Sequence, residues 1–287
     1  LTNIAVIVLL TVVMFILERF FWIELWGTSY LFVFALVIWF WWAFISLWIS
    51  KWMAKRAYKI KLITNENLSD IWWNVRIVWD VVNDLAERNH IKVPEVWIYV
   101  DNDPNAFATW PSKNNSLVAV STWLLDQMDK WAIEWVIAHE MAHILNWDMV
   151  TMTLLQWVLN TFVIFFARMV ANIISNFLDE ELSGLAYFWV VILLEILFWI
   201  LASTVLMAFS RHREYKADEW SARFVWKEKM IAWLVALKKM QEYASSDKSP
   251  MAAMKISTKK RWGLFSLFAS HPDLDDRIKR LEKLVIQ

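Results

Sequence analysis

Two stretches of this chain, residues 30–50 and 188–209, are apolar from end to end, with Glu195 the one charge in them. Runs of about 20 such residues match the length a helix needs to cross the hydrocarbon of a bilayer. Inside lipid a backbone must satisfy its own hydrogen bonds, so such a run folds as a helix. Residues 149–174 form a third long run, broken only by Arg168. Residues 4–16 form a shorter one, followed by Glu18-Arg19 and then residues 20–26, which are apolar except for Glu24. A buried core helix is the other way to hide each run, but two nearly uncharged runs of about 20 residues favour the membrane. The first run has the length of a signal peptide. It lacks a clear small-x-small cleavage site and reads as a retained anchor. Four membrane-associated helices are expected.

Charge orients them. Lys51, Lys55, Arg56, Lys59 and Lys61 follow the second run, and Arg211, Arg213 and Lys216 follow the fourth. The loop between the third and fourth runs carries Asp179, Glu180 and Glu181 instead. Basic flanks stay on the cytoplasmic side, so both basic segments share that compartment and the acidic loop faces out. The expected organisation is a membrane hairpin over 1–50, a first cytoplasmic part over 51–148, a second hairpin over 149–210 and a second cytoplasmic part over 211–287. The two cytoplasmic parts can combine into one domain. Lysine plus arginine equal aspartate plus glutamate at 29 each, so nothing favours nucleic acid as a partner. With no cysteine, disulfides and thiolate metal sites are excluded.

The first cytoplasmic part reads as a helix followed by strands. Residues 67–89 place Ile71, Val75, Val78, Val82 and Leu85 at helical spacing. Residues 96–100 read as a strand, and 116–121 alternate like a second. Asn102-Asp103-Pro104-Asn105 is a turn by composition. Residues 244–250 are polar and small and read as a loop. The fold class is mainly α with a small β-sheet.

His139-Glu140-Met141-Ala142-His143 lies inside a strongly helical run from Trp131 to Asn146. Four residues apart, the two imidazoles share one helical face and can reach a single metal ion. Neutral imidazole suits zinc, and a catalytic zinc site keeps a position open for water. Glu140 projects beside that position, where a carboxylate can accept the water's proton. The chain has five histidines, and two fall at this spacing around a glutamate on an otherwise apolar helix. The third ligand of such a site often comes from a later helix. Glu214 and Asp218 share a helix face after the second hairpin. Glu214 can bind the metal, and Asp218 can accept a hydrogen bond from the far nitrogen of a ligand histidine.

The chain holds 3 glycines and 23 tryptophans. Ordinary usage is about 7% glycine, or roughly 20 in this length. Several tryptophans stand where glycine is expected, among them Trp110 before Pro111 and Trp147 after Asn146 at a helix end. Trp39, Trp41 and Trp42 crowd one membrane run. UGA is read as tryptophan in some bacterial genetic codes and as glycine in others, so a wrong translation table would give this pattern; deliberate engineering is the alternative.

Taken together, the motifs resemble the M48 family of membrane metallopeptidases, in its bacterial HtpX type. The resemblance is carried by Ser50-Lys51-Trp52-Met53-Ala54, Asn105-Ala106-Phe107-Ala108-Thr109 and Leu117-Val118-Ala119-Val120-Ser121-Thr122. It continues in Val136-Ile137-Ala138-His139-Glu140, Asp148-Met149-Val150-Thr151-Met152-Thr153 and Ser210-Arg211-His212-Arg213-Glu214. It ends in Ala217-Asp218, His271-Pro272, Leu274-Asp275 and Arg277-Ile278. It implies an integral membrane, zincin-like (gluzincin) endopeptidase of the bacterial cytoplasmic (inner) membrane with its active site on the cytoplasmic side. Misfolded or damaged membrane proteins and unfolded polypeptides would be its substrates, and an ATP-dependent membrane protease its neighbour in quality control. His139, His143 and Glu214 then correspond to the ligands of one zinc ion and Glu140 to the general base. Asn105-Ala106 corresponds to an edge strand that pairs with substrate backbone. His271 resembles a residue that stabilises the oxyanion, with Arg277 assisting.

The departures from that pattern are Trp110, Trp123, Trp147, Trp157, Trp220 and Trp226, where the family has glycine; Trp52 matches a family tryptophan. Two other readings differ in substrate or class. One is a prenyl-peptide (CAAX-type) protease of the same superfamily, whose members carry more spans than the four runs here. The other is an inactive membrane scaffold that keeps the zinc site, against which Glu140 argues.

Overall fold

The computed structural model describes residues 27–57, 60–63, 73–101, 105–109, 112–177, 183–246, 269 and 271–285. The apolar residues 4–16, residues 20–26, the turn residues 102–104, Trp110 and the acidic residues 179–181 lie outside them.

The elements run α1 (Gly27–Ala57), β1 (Ile60–Ile63), α2 (Trp73–Arg88), β2 (Glu95–Tyr99), β3 (Ala106–Thr109), β4 (Leu117–Ser121), α3 (Thr122–Gln127) and α4 (Lys130–Leu145). Then come α5 (Asp148–Ser175), α6 (Ser183–Phe224), α7 (Lys227–Ser246) and α8 (Leu274–Glu282). The protein is mainly helical with one small mixed sheet. Residues 244–246, read from composition as loop, instead close α7, and the rest of that stretch is outside the described residues.

The described residues form two compact units. One takes α1 up to Ile45 together with Met152–Leu206; the other takes Ser46–Thr151 and the chain from Met207 onward.

In the first unit, α5 and α6 are long and apolar enough to cross a membrane. Trp189, Leu193 and Leu201 lie exposed on α6, as lipid-facing side chains do. The two charges that interrupt the apolar runs meet: Arg168 Nη1 lies 2.9 Å from Glu195 Oε1, with both side chains buried. A single charge among apolar helices is costly, and this pairing compensates each with the other.

In the second unit, the sheet has the order β1-β2-β4-β3. β1 and β2 are antiparallel, β2 and β4 parallel, and β3 and β4 antiparallel. β3 therefore forms one edge, although it precedes β4 in sequence. Val75, Val78, Val82 and Leu85 of α2 are buried in the core that underlies the sheet. α4 contributes Ile133, Ile137, Met141 and Ile144 to the same core, all at 0% exposure. Each such side chain stabilises the fold by about 1.5–3 kcal/mol. These residues recur at i, i+4, i+8 and i+11, so His139 and His143 project from a different face of a helix the core holds still.

α1 is tied to the sheet by charge. Glu95 of β2 accepts from Lys51 at 2.9 Å and from Lys55 at 2.7 Å, and Lys55 sits over the Trp97 ring. Partial burial works against the Glu95 charge, but the two lysines outweigh it and bring its pKa from 4.5 to about 2.

Candidate metal centre

Local chemistry sets where α4 begins and ends. Asp129 caps its start, accepting from the Ala132 N–H at 2.8 Å. It ends at Asn146, and Trp147 follows in the left-handed region with φ 60°. That conformation breaks the helix before α5, which starts at Asp148.

His139 and His143 stand one helical turn apart with their rings nearly perpendicular and centroids 4.8 Å apart. α6 brings Glu214 between them, 2% exposed. His139 Nε2 is 3.4 Å from Glu214 Oε2, and His143 Nε2 is 3.5 Å from Glu214 Oε1. One donor atom from each of the three residues lies within 4.8 Å of the other two. Two imidazole nitrogens and a carboxylate oxygen, all buried and converging, fit a catalytic divalent metal. The three residues expected from the sequence to bind metal are thus together.

The far side of each imidazole faces an acid. His143 Nδ1 is 2.6 Å from Asp148 Oδ2. His139 Nδ1 is 3.0 Å from Asp218 Oδ1, close in distance but off the line of a good hydrogen bond. Asp218 is shared with Arg277, whose Nε and Nη2 reach its two oxygens at 2.7 and 2.6 Å. Burial works against the His139 charge, but Asp218 first and Glu214 second outweigh it, raising its pKa from 6.5 to about 9. Burial likewise opposes the Arg277 charge, and Asp218 more than restores it.

The structure places the remaining expected residues as follows. Arg277 is buried with its guanidinium on Asp218, behind His139. His271 is largely exposed and points Nδ1 at Glu214 Oε2, 3.2 Å away. Arg213 lies 3.1 Å from the other Glu214 oxygen. Glu140 Oε2 accepts from the backbone N–H of Ala108 at 3.0 Å, so the edge strand touches the carboxylate between the two histidines.

That contact sets the register of the edge. Asn105 engages its own backbone with Ser121, its C=O accepting from the Ser121 N–H and its N–H donating to Ser121 Oγ. In an antiparallel ladder the residues alternate between facing the partner strand and facing away. Ala106 and Ala108 therefore turn their N–H and C=O away from β4, toward the open edge and Glu140. Of the expected pair, Ala106 has the outward backbone.

Sequence reasoning passed over Asp148, Ala108 and Arg213. Asp148 is five residues beyond His143, which on a continuous helix would place it about 140° around the axis. Only the turn at Trp147 brings it back. The signal was there in Asn146-Trp147, a helix end followed at once by an acidic residue.

The model of Peptidase family M48 matches residues 74–285 of this chain. The chain is 49% identical over 286 residues to the Protease HtpX of Shewanella piezotolerans, covering 98% of this chain and 96% of that one. It is 47% identical over 257 residues to the Protease HtpX homolog of Bacillus subtilis, covering 88% and 84%. Its fold is similar to the crystal structure of S. mikatae Ste24p, with a TM-score of 0.61 at 16% identity. That match takes in 95% of this chain and 62% of the other.

Proposed function

This chain belongs to peptidase family M48, a family of membrane metalloproteases, and from that premise we propose that it is a zinc-dependent endopeptidase with gluzincin chemistry. We place it in the bacterial cytoplasmic membrane, where it opens peptide bonds of misfolded or damaged membrane proteins. α1, α5 and α6, with the apolar segment before α1, would make its four spans. The basic flanks of the runs put the catalytic unit on the cytoplasmic side. An ATP-dependent membrane protease would be a natural neighbour, because a cleaved membrane protein still has to be extracted and degraded.

His139, His143 and Glu214 would hold one zinc ion. When bound, zinc polarises a carbonyl and lowers the pKa of a coordinated water. The chain's own residues do the rest. Ala106 would present its outward N–H and C=O, and Ala108 its C=O, to an extended peptide that adds to β3 as another strand. The hydrogen bond from Ala108 holds Glu140 beside that strand, so the proton acceptor and the scissile bond share one frame. Glu140 takes a proton from the attacking water and returns it to the leaving amine. His271, exposed and 3.2 Å from Glu214, would donate to the carbonyl oxygen as charge develops there.

The observation that carries this reading is Glu140 sitting on the edge strand, next to a converging His-His-Glu set. The test is cleavage of an unfolded polypeptide by the protein in detergent, with and without a chelator. Glu140→Gln keeps the shape of the side chain and removes its basicity. A loss of about 100-fold or more in rate is expected, the usual share of a general base. Cleavage that survives both the chelator and the substitution would end the proposal.

A further inference from the structure

We propose that Asp148 is the positioning residue for the zinc ligand His143, and that the two imidazoles of the site are held by unequal means. The inference rests on the metallopeptidase reading above and extends it to a residue outside the ligand set.

A carboxylate can only accept, so at 2.6 Å the proton of this pair resides on His143 Nδ1. Nε2, on the Glu214 side of the ring, is then the nitrogen available to a metal. Both partners are buried, at 6% exposure each, so water competes weakly for the bond. His139 is held differently. Its acid, Asp218, also binds Arg277 through both oxygens, so its charge is shared with a cation. Among the described residues no lysine or arginine forms an ion pair with Asp148. His143 therefore has an acid partner that no lysine or arginine shares among the described residues, which makes it the more electron-rich ligand. Partners of this kind fix the ring orientation and raise ligand basicity, and their loss typically costs about 10–100-fold in metal affinity.

Asp148 has a second setting that a test must separate from this one. It begins α5, where an acidic side chain also favours the helix N-terminus. Asparagine keeps the size and the capping ability but loses the charge and the acceptor-only character. Asp148→Asn and Asp148→Ala are therefore compared with wild type in the full-length detergent-solubilised chain. Zinc affinity is measured by competition with a chromophoric chelator, and stability of the metal-free protein by thermal unfolding. The expected result is a loss of about 10–100-fold in zinc affinity for Asp148→Asn with metal-free stability unchanged, and at least as large a loss in affinity for Asp148→Ala. Unchanged affinity in Asp148→Asn overturns the proposal, whether or not stability falls. Failure of the wild-type protein to take up zinc overturns the metallopeptidase reading and this inference with it. Tight wild-type binding with an indifferent Asp148→Asn overturns this inference alone.

Discussion

Arg277 grips both oxygens of Asp218, at 2.7 and 2.6 Å, while the same carboxylate faces His139 Nδ1 at 3.0 Å. The arrangement couples the C-terminal helix α8 to the metal-binding face of α4 through one buried acid on α6. Removing one member of such a pair leaves the other as an uncompensated buried charge. Arg277→Met should cost about 3–5 kcal/mol in stability, the usual cost of breaking a buried pair. The double variant Arg277→Met, Asp218→Leu should recover most of that loss, as paired apolar replacements often do. Thermal or denaturant unfolding of the metal-free protein reads both. A double variant as unstable as the sum of the singles would show that the pair is not the source of the loss.

Glu95 predicts a pH dependence. Its pKa is depressed from 4.5 to about 2 by Lys51 and Lys55. A depressed carboxylate contributes its stability above its unfolded pKa and loses it as pH falls through the folded one. The docking of α1 on β2 should thus be intact above pH 4.5 and fade between 4.5 and about 2. Glu95→Gln should be less stable than wild type at pH 7 and indistinguishable from it at the acid end of that window. Unfolding midpoints across the range check it, and added salt should shrink the difference at pH 7, since Glu95 is partly exposed.

Trp147 predicts a gain from substitution. Its φ of 60° lies where a side chain crowds the backbone and glycine does not. A left-handed residue with a Cβ costs about 1–2 kcal/mol. Trp147→Gly should raise stability by about 1 kcal/mol, allowing for glycine's extra chain entropy. Two other tryptophans carry their own mark: the indole N–H groups of Trp135 and Trp233 are buried with no hydrogen-bond partner among the described residues. The glycine-codon reading predicts UGA in the coding DNA at Trp110, Trp123, Trp147, Trp220 and Trp226, with UGG at Trp52. UGG at Trp110, Trp123 and Trp147 would rule that reading out.

Much of the site was legible because it is local. His139, Glu140 and His143 lie within two turns of one helix, so spacing alone fixes their common face. Glu214 and Asp218 obey the same arithmetic on α6. What escaped the sequence depends on the chain turning back. Asp148 reaches His143 only through the left-handed residue at 147. Arg277 was given a place beside an oxyanion by resemblance, and its contact with Asp218, an acid 59 residues away, was not foreseen. β1 and β3 are four-residue strands, too short for alternation to stand out, and β3 is placed at the edge by pairing with β4 rather than by its own composition. The Arg168–Glu195 pair joins two runs that looked like isolated flaws in apolar helices.

The open edge of β3 has one more consequence. It is four residues long, and in the proposed function a substrate meets it through backbone alone, at Ala106 and the Ala108 carbonyl. Backbone is the one feature all polypeptides share, so such an edge cannot tell one sequence from another with any sharpness. It can tell extended chain from folded chain, because a folded protein keeps its strands paired with one another. Selection then falls on lifetime: a polypeptide is vulnerable in proportion to the fraction of time it spends open. An enzyme built this way needs no list of targets, since a damaged protein marks itself by failing to stay shut.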